Sequence, residues 1–594
     1  MKIKHIFLGI GLLATAGGGL SSCTDLEEKV YDQVTSQNYY QTKDDVIHAV
    51  FRPFEHTYYS MWQVHEHEEL PADQLVTVVR GDWWWDGGKW IMYHRHQYDG
   101  IQYNNPGSGE WTSEWELMYQ AIGQCNLVLD DLAELNPATF KITDTEWASY
   151  IAQLRCMRAF CYLRLINCYR NCLLVTTSDA SVSMQPENRK QVEPRVLFEF
   201  IESELKDFCL TNLPPRSGNY DGPMQGQFTQ GAAAALLARL YLNAEKWIGE
   251  ARWDDCIGIC ERIRKGEFGH YELAERWDAP FDWNNETCSE VIFAFTASFA
   301  TTCHHMANSR QTVYGRMLPY QCGPYLGIEK DGERNPRYCI TPSYDNSYPN
   351  RQLFDYKLGQ VSQKFLKYPG DLRWKQYKNT SNNTREGMMF LEGKIPNNTQ
   401  SEGFGKSPQG YTIYLRDQVG QFFVGGENGQ ITGSDAESKC ENGDFNSGLF
   451  VVKYPFYPYE GGAYKESDHA VIRLAEVYYT EAECYLRKGD ARTAGSLLNK
   501  VRERNYSSFG DNIAYEPEGR VKLDMDEMLD EWGREFLAES RRRTDLIRFG
   551  RFQEAWWDKK ADADTHYELF PLSQDQLEQN LYLKQNPGYP DITR

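Results

Sequence analysis

Two predicted helices follow each other in the stretch His469–Asn505, which reads HAVIRLAEVYYTEAECYLRKGDARTAGSLLNKVRERN. Apolar residues recur at steps of three and four in both halves of this stretch, which is the period of a helix that buries one face. The second half also carries alanine and other small residues where two helices would touch. The pattern therefore predicts a helical hairpin, with one helix over His469–Asp490 and the other over Ala491–Asn505.

The same pairing of helices occurs twice earlier in the chain. A hairpin needs neighbours to cover its apolar face, so these pairs predict a mainly α-helical protein in which tetratricopeptide-like hairpins stack into a scaffold. A helical bundle of another kind is the alternative, because only the pattern of paired helices matches and not a full repeat consensus. The earlier predicted pairs are Ser113–Leu135 with Thr145–Arg170, and Gly231–Ala244 with Arg252–Gly266.

The composition changes between about residues 277 and 453, where Gly, Asn, Pro, Ser and Tyr dominate. A region this long is not a bare loop inside a compact domain. We expect an irregular insertion with short strands, such as SEVIFAFTAS and GLFVVKYP, that rests on the helical scaffold, as is usual in binding proteins. The chain is then one domain over residues 23–594, with helical parts over about 30–276 and 454–594 on either side of the insertion.

The first residues, MKIKHIFLGIGLLATAGGGLSSC, have the order of a secretory signal: two lysines, an apolar run, and small residues. The apolar run is too short for a membrane span, which needs roughly 20 apolar residues. The LSSC ending resembles the bacterial lipobox, so we expect removal of residues 1–22, lipidation of Cys23, and a membrane attachment through this anchor only. The acidic TDLEEK that follows accompanies display on the outer face of the outer membrane in similar lipoproteins. An ordinary signal cleaved nearby is the alternative.

Composition limits the partners of the protein. A net charge of −21 disfavours nucleic acid or an anionic membrane surface, because both attract clustered Lys and Arg. Aromatic residues make up 14% of the chain, and the polar tips of its 16 Trp and 38 Tyr suit partly hydrated recognition surfaces. Several of the 15 Cys lie four residues apart in predicted helices, too far apart for a disulfide. We expect most of them to be buried and to act as small apolar residues. The sequence leaves undecided whether one or two disulfides form elsewhere in the chain.

Three stretches resemble the SusD/RagB-like outer-membrane nutrient-binding lipoproteins. The first is the lipobox together with VYDQVTSQNYYQTKDDVIHAV, and the second is the hairpin over Val471–Asn505. The third is the C-terminus, with LDEWGREFLAESRRRTDLIRFGRF (Leu529–Phe552) and LFPLSQDQLEQNLYLKQNPGY (Leu569–Tyr589). The EWGR at Glu531–Arg534 departs from the family motif. The resemblance implies a tetratricopeptide-like fold whose irregular segment carries the ligand site. It also implies capture of oligosaccharides at the cell surface, and a lid function on a SusC-like TonB-dependent transporter. A minority of the family binds peptides or other glycoconjugates.

The segment Arg80–Trp90, RGDWWWDGGKW, is too polar and too rich in Gly for a core, yet it holds four tryptophans. Indole rings cover the apolar faces of sugars, while Arg and Asp side chains hydrogen-bond their polar rims. Successive side chains of an extended run alternate in direction, so we expect two tryptophans to face a ligand and the middle one to help lock the loop. The alternative is that Trp83, Trp84 and Trp85 all pack against the protein and anchor the loop. The predicted ligand-binding residues of this loop are Trp83, Trp85, Trp84, Arg80, Asp82, Asp86 and Trp90. The resemblance places further aromatic residues after the strand Glu290–Ala294, with Tyr314, Tyr320 and Tyr325 as candidates.

Two other groups of residues suggest functions other than glycan binding, namely metal binding and catalysis. The pairs His65/His67 and His94/His96 would each face one side of a strand and could bind a metal there, but ordinary solvated or hydrogen-bonded histidines are expected instead. We predict neither a metal nor a cofactor. A charged C-terminal cluster is spaced as on a helix and is expected to form ion pairs between helices rather than a catalytic set. Its members are Glu535, Glu539, Arg541, Arg542, Arg543 and Asp545.

The protein is not expected to be an enzyme. A glycoside hydrolase is the first alternative, because an acidic aromatic cleft suits that activity, and it would need two carboxylates about 5–10 Å apart across a sugar. Asp82 and Asp86 flank the tryptophans, but their closeness in sequence does not place them opposite each other. A scaffold or adhesion lipoprotein without small-ligand binding is the second alternative.

Overall fold

The computed structural model describes residues 39–80, 88–99, 114–216, 226–297, 338–380, 384–396, 403–407, 409–422, 434, 436–455 and 467–590. In these ranges the protein is mainly helical, as predicted, and its strands form short antiparallel pairs. The α-helices are Lys43–Glu69, Lys89–His94, Glu114–Glu134, Asp144–Tyr169, Ala180–Ser183, Pro194–Ser203, Leu210–Asn212, Gln230–Leu242, Ala244–Ile248, Trp253–Arg264, Val361–Leu366, Leu474–Arg487, Ala491–Arg502, Met525–Glu535, Arg542–Arg548 and Gln574–Gln579. A π-helical segment, Glu204–Cys209, precedes Leu210–Asn212.

The three predicted helical hairpins are all present. In each of them the two helices contact each other, and the second helix of the middle hairpin contacts the first helix of the last one. The predicted stack of tetratricopeptide-like hairpins is therefore confirmed. The hairpins are Glu114–Glu134 with Asp144–Tyr169, Gln230–Leu242 with Trp253–Arg264, and Leu474–Arg487 with Ala491–Arg502.

Polar side chains set where these helices begin. Thr143 accepts a hydrogen bond from the backbone N–H of Glu146, and the Glu146 carboxylate accepts one from the backbone N–H of Thr143. Asp490 accepts the N–H of Thr493 at the start of the last hairpin's second helix. Such caps satisfy amide groups that the first helical turn leaves without a partner, and each contributes about 1 kcal/mol.

Cysteine side chains fill the contacts between helices. Cys256 and Cys260 of the middle hairpin lie beside Cys484 of the last hairpin, and burial raises the pKa of the Cys260 thiol. The twelve described cysteines are unpaired, and eleven of them are buried. The prediction that most cysteines serve as small apolar residues of the core is confirmed for this part of the chain.

The helix predicted over His469–Asp490 begins five residues late. His469–Arg473 is a strand, paired antiparallel with Val291–Phe295, and the helix begins at Leu474. The prediction was wrong here because apolar spacing does not reveal that the backbone N–H and C=O groups find partners in a distant strand. Val291–Phe295 itself lies in the predicted strand SEVIFAFTAS and is buried throughout. This sheet joins the start of the insertion to the C-terminal helical part.

The other strand pairs contribute two residues from each strand. The predicted strand in GLFVVKYP is confirmed at Phe450–Val451. The pairs are Leu75–Val76 with Cys339–Ile340, Cys172–Leu173 with Gln191–Val192, Lys378–Asn379 with Arg385–Glu386, Met389–Phe390 with Phe450–Val451, and Gly393–Lys394 with Tyr414–Leu415.

The charged C-terminal cluster does not lie on one helix. Met525–Glu535 and Arg542–Arg548 are separated by a turn in which Ala538 and Ser540 adopt left-handed conformations, with φ of 62° and 60°. This turn carries Glu539 and Arg541 away from the helical spacing that the sequence predicts.

The ion pairs expected of this cluster are nevertheless confirmed. They connect separate elements as well as neighbours in sequence, which gives the cluster a structural role. Arg543 is the exception, because its guanidinium donates to the backbone carbonyl of Glu568. The pairs are Glu535 with Arg473 at 2.7 Å, Glu539 with Arg473 at 2.8 Å, Arg541 with Asp545 at 2.9 Å and Arg542 with Asp73 at 2.6 Å.

Gly495, in the second helix of the last hairpin, tests how closely these helices pack. A Cβ added there would overlap the carbonyl oxygen of Glu516 and lie 3.1 Å from Cβ of Tyr515. Gly495→Ala is expected to lower the free energy of unfolding by about 1–3 kcal/mol, the usual cost of overpacking. Urea denaturation followed by circular dichroism measures this change.

Gly258, in the second helix of the middle hairpin, supplies the matched control. A Cβ added at Gly258 would meet no described atom of another element within 4 Å. Gly258→Ala should therefore raise the free energy of unfolding by up to about 1 kcal/mol through helix propensity alone. Equal effects of the two substitutions would contradict the packing described for Gly495.

Candidate functional site

The tryptophan loop is described at its two ends. Asp82, Trp83, Trp84, Trp85 and Asp86 lie outside the described residues, and so do Cys23, Tyr314, Tyr320 and Tyr325. Arg80 and Trp90 are described, and they show how the loop is attached to the rest of the protein.

Arg80 anchors the end at which the chain enters the loop. Its guanidinium donates to the backbone carbonyls of Asp444 at 2.5 Å and Ser447 at 2.6 Å, and its Cζ lies 5.2 Å from the centre of the Phe450 ring. A backbone bridge to Gly443 adds to this attachment. Only 2% of Arg80 is exposed, so the side chain faces the protein interior.

Trp90 anchors the end at which the chain leaves the loop. Gly88, with φ of 85°, starts the helix Lys89–His94 from a left-handed conformation that suits glycine. Trp90 is 6% exposed and belongs to the main core cluster. The described contacts of Arg80 and Trp90 are thus with the protein, which gives both residues a role in holding the loop. Direct contact of either side chain with a ligand stays a prediction.

The segment that receives Arg80 also orders the chain around residues 414–422. Asp444 accepts the backbone N–H groups of Phe422 at 2.7 Å and Asn446 at 2.9 Å. Ser447 donates to the carbonyl of Gly420 at 2.9 Å. Burial raises the pKa of Asp444 above its ordinary value, and these hydrogen bonds only partly oppose the shift. One buried segment, Asp444–Ser447, therefore supports both the tryptophan loop and residues 414–422.

A small sheet beside this segment exposes aromatic and cationic side chains. Lys394 lies opposite Tyr414 in the strand pair, and Phe404 bridges to Pro396 next to it. Phe404 is 45% exposed, Tyr414 37% and Tyr348 47%. The Nζ of Lys394 lies 5.3 Å from the centre of the Phe404 ring, and Cζ of Arg416 lies 5.3 Å from that of Tyr348. We call this surface the aromatic–cationic face; it comprises Tyr348, Lys394, Phe404, Lys406, Tyr414 and Arg416.

Sequence reasoning placed a ligand site in this insertion but missed these residues. The signal that would have found them is the alternation in YTIYLR, Tyr411–Arg416. Ile413 and Leu415 are buried, while Tyr414 is exposed and Arg416 is half-buried, as in a strand with one solvated face. Six residues are too few to stand out against the surrounding loops.

His65, His67 and His94 lie on helices and His96 lies in the turn that follows Lys89–His94, so the strand geometry considered for a metal site is wrong. His65 and His67 belong to Lys43–Glu69, where residues two apart point to different sides. Both are hydrogen-bonded: Nδ1 of His65 lies 3.0 Å from Oγ of Ser540, and Nδ1 of His67 lies 2.8 Å from the Glu114 carboxylate. Burial lowers the pKa of His65 to about 3.

The second pair, His94 and His96, is also hydrogen-bonded within the protein. Nε2 of His94 lies 2.8 Å from the Trp557 carbonyl, and Nδ1 of His96 lies 2.7 Å from the Asp562 carboxylate. Burial lowers the pKa of both histidines to about 4. The expectation of ordinary hydrogen-bonded histidines is confirmed. In the described ranges, no three His, Cys, Asp or Glu side chains are grouped to hold a metal ion.

The chain matches two protein-family models. The model described as the SusD family covers residues 290–589, and the model described as "starch-binding associating with outer membrane" covers residues 28–242. The first match alone spans half of the chain. The chain belongs to the SusD family. The resemblance predicted from the N-terminus, the last hairpin and the C-terminus is confirmed.

Several known proteins resemble the chain over most of its length. The starch-binding protein SusD of Bacteroides thetaiotaomicron is 25% identical over 543 residues, which is 88% of this chain and 84% of that protein. The structure of B. fragilis NanU has a TM-score of 0.63 at 17% identity, covering 94% of this chain and 100% of its own. Surface glycan-binding protein A from Bacteroides thetaiotaomicron, solved with laminarihexaose, has a TM-score of 0.61 at 15% identity, covering 92% and 99%. Identities this low establish a shared fold.

The described helices also bear on membrane attachment. None of those within the described ranges is long and apolar enough to cross a membrane.

Arg80→Met tests the attachment of the tryptophan loop. Methionine keeps the unbranched apolar stem of the side chain but lacks the guanidinium, so the Ser447 carbonyl loses its donor and the Asp444 carbonyl keeps only the Ser447 N–H at 3.2 Å. We expect the free energy of unfolding to fall by about 1–3 kcal/mol, the cost of one unsatisfied buried group. Arg262→Met is the control, since Arg262 and its partner Glu267 are 48% and 47% exposed in their side chains. Loss of that pair should change stability by less than about 1 kcal/mol. Similar losses in the two variants, measured by urea denaturation, would argue against an anchoring role for Arg80.

Proposed function

We propose that the protein binds an oligosaccharide nutrient at the cell surface and delivers it to a partner SusC-like TonB-dependent transporter. The observation that carries this proposal is the similarity to the starch-binding protein SusD over 88% of the chain. The structural likeness to a surface glycan-binding protein solved with laminarihexaose supports the same class of ligand.

The proposed contact with sugar is made by the tryptophan loop. Trp83 and Trp85 stack on sugar rings in this proposal, Asp82 and Asp86 hydrogen-bond hydroxyl groups, and Trp84 helps to lock the loop. Arg80 and Trp90 hold the two ends of the loop in the core, and anchored ends reduce the entropy that a loop can lose when a ligand binds. Tyr314, Tyr320 and Tyr325 are proposed to extend the aromatic surface.

Binding without catalysis is supported by the carboxylates beside the aromatic–cationic face. Asp417 accepts the backbone N–H of Ser343 at 3.0 Å and the hydroxyl of Ser362 at 2.5 Å, while Asp444 accepts backbone N–H groups. Both side chains are buried and committed to holding the chain. A general acid and base would instead face the sugar from opposite sides.

The proposed location is the outer membrane, facing the cell exterior. The lipobox-like LSSC ending at Cys23 supports a lipid anchor, and the description of the N-terminal family model supports association with the outer membrane. A lipid on Cys23 would leave residues 24–594 outside the bilayer, where they could meet both glycan and transporter.

Trp83→Ala/Trp85→Ala tests the proposed binding site. The double variant should lose binding to soluble starch and laminarin, measured by retardation in affinity gels, and its tryptophan emission should no longer change when either glycan is added. Its far-ultraviolet circular dichroism should match that of the unmodified protein. Trp253→Ala removes a half-buried indole at the start of the helix Trp253–Arg264 and should bind as the unmodified protein does. Retained affinity in the double variant would defeat the assignment.

Cys23→Ser tests the anchor. A serine cannot receive the lipid through sulfur, so the variant should move from the membrane fraction to the soluble fraction while keeping its affinity for glycan. Fractionation followed by immunoblotting measures this, with Cys288→Ser as a control for the loss of one thiol. An unchanged membrane fraction for Cys23→Ser would contradict anchoring through this residue.

A further inference from the structure

The aromatic–cationic face concentrates positive charge on an acidic protein. The chain carries 63 Lys and Arg against 84 Asp and Glu. On this face, by contrast, Lys394, Lys406 and Arg416 come together within three short adjoining segments. Such an excess of one sign contrasts with the charge of the molecule as a whole.

Strand geometry places the three cations on one side. Lys394 and Tyr414 are direct cross-strand neighbours, and Arg416 follows Tyr414 by two residues, so it points the same way. Lys406 follows Phe404 by two residues, and the intervening Gly405 is buried. Lys394 in turn lies over the Phe404 ring. The cations therefore surround two exposed aromatic rings.

The acidic groups nearest this face are already engaged. Glu392 is bound by two nitrogens of Arg351, one of them at 2.9 Å, and also accepts the backbone N–H of Asp417 at 3.0 Å. Asp417 is itself buried. Within the described residues, Lys394, Lys406 and Arg416 have no carboxylate within 4.0 Å, although the more distant Glu392 carboxylate favours the charged form of Arg416. Nε of Arg416 donates to the side-chain oxygen of Gln418 at 2.8 Å, and partial burial lowers the pKa of its guanidinium.

The hydrogen-bonding chemistry of these side chains selects the ligand. Lys and Arg side chains are donors without any acceptor, so they complement a ligand rich in acceptors. Neutral sugar hydroxyls each need an acceptor as well as a donor, whereas carboxylate and sulfate groups accept only, and they form stronger charge-assisted bonds. The Phe404 and Tyr414 rings suit the apolar face of a sugar between two such groups.

We propose that the aromatic–cationic face binds an acidic oligosaccharide, with its carboxylate or sulfate groups on Lys394, Lys406 and Arg416 and a sugar ring against Phe404 and Tyr414. This inference rests on the proposed glycan-binding function and names the class of glycan. The face is separate in sequence from the tryptophan loop, and both are supported by Asp444–Ser447.

The test uses the full-length mature protein with polygalacturonate and with the same polymer after complete methyl esterification. Esterification removes the charge of each carboxyl group and adds one methyl group. In gels that contain one or the other polymer, the dissociation constant of the unmodified protein should be at least about tenfold lower for polygalacturonate than for the esterified polymer. The difference should shrink as salt is added. Lys394→Gln/Arg416→Gln should remove this preference and leave unchanged the binding of starch, which is assigned to the tryptophan loop. Arg492→Gln/Lys500→Gln, which removes two exposed cations from the helix Ala491–Arg502, is the charge-matched control and should keep the preference.

Each other outcome overturns the proposal. Equal binding of the two polymers by the unmodified protein would do so, as would an unchanged preference in Lys394→Gln/Arg416→Gln. Binding to vesicles of phosphatidylglycerol and phosphatidylcholine that depends on Lys394 and Arg416, without binding to polygalacturonate, would assign the face to a membrane instead. Failure of the tryptophan-loop function is distinguishable, because Trp83→Ala/Trp85→Ala would then bind starch normally whatever the acidic polymer does.

Discussion

Glu535 is bound by three arginines from three separate parts of the chain, and the rest of the structure depends on this contact. Its carboxylate lies 2.7 Å from Arg373 and Arg473 and 3.4 Å from Arg504. Burial opposes ionisation of Glu535, but the arginines outweigh it and hold its pKa well below the ordinary value. Loss of Glu535 would leave three buried arginines with one carboxylate fewer, and breaking a buried ion pair typically costs about 3–5 kcal/mol. The insertion, the long strand pair and the last hairpin are thereby held in one arrangement.

This constraint matters for function because it makes the scaffold rigid where the loops are attached. Glu290, next to the buried strand Val291–Phe295, pairs with both Arg473 and Arg504 and so ties that strand to the same cluster. The segment Asp444–Ser447 has a similar role elsewhere in the chain. Its backbone carbonyls accept hydrogen bonds from Arg80, and the Asp444 side chain accepts one from the backbone N–H of Phe422. A ligand surface supported in this way needs little reorganisation on binding, which favours recognition through several weak contacts.

Features that depend on residues close together in the sequence were predicted, whereas features that depend on contacts between distant segments were not. The hairpins and the buried cysteines depend on spacing within one segment, and both were foreseen. His469–Arg473 was assigned to a helix because its strand partner lies more than 170 residues away, at Val291–Phe295. The turn at Ala538 and Ser540 interrupts a stretch whose charges suggested one continuous helix. The aromatic–cationic face was missed because Lys394, Phe404 and Tyr414 become neighbours only when three short segments adjoin.

The sequence by itself determined the family, the helical scaffold and the class of ligand expected, because apolar periodicity and local motifs are properties of contiguous residues. Only the tertiary structure decided that Arg80 and Trp90 lie inside the protein and that the histidine pairs belong to the core. It also decided which cations share a surface. These outcomes depend on burial and on pairing between distant segments, and the free energy of burying a charge or an amide is set by the partner that the fold supplies. A residue type alone does not specify that partner.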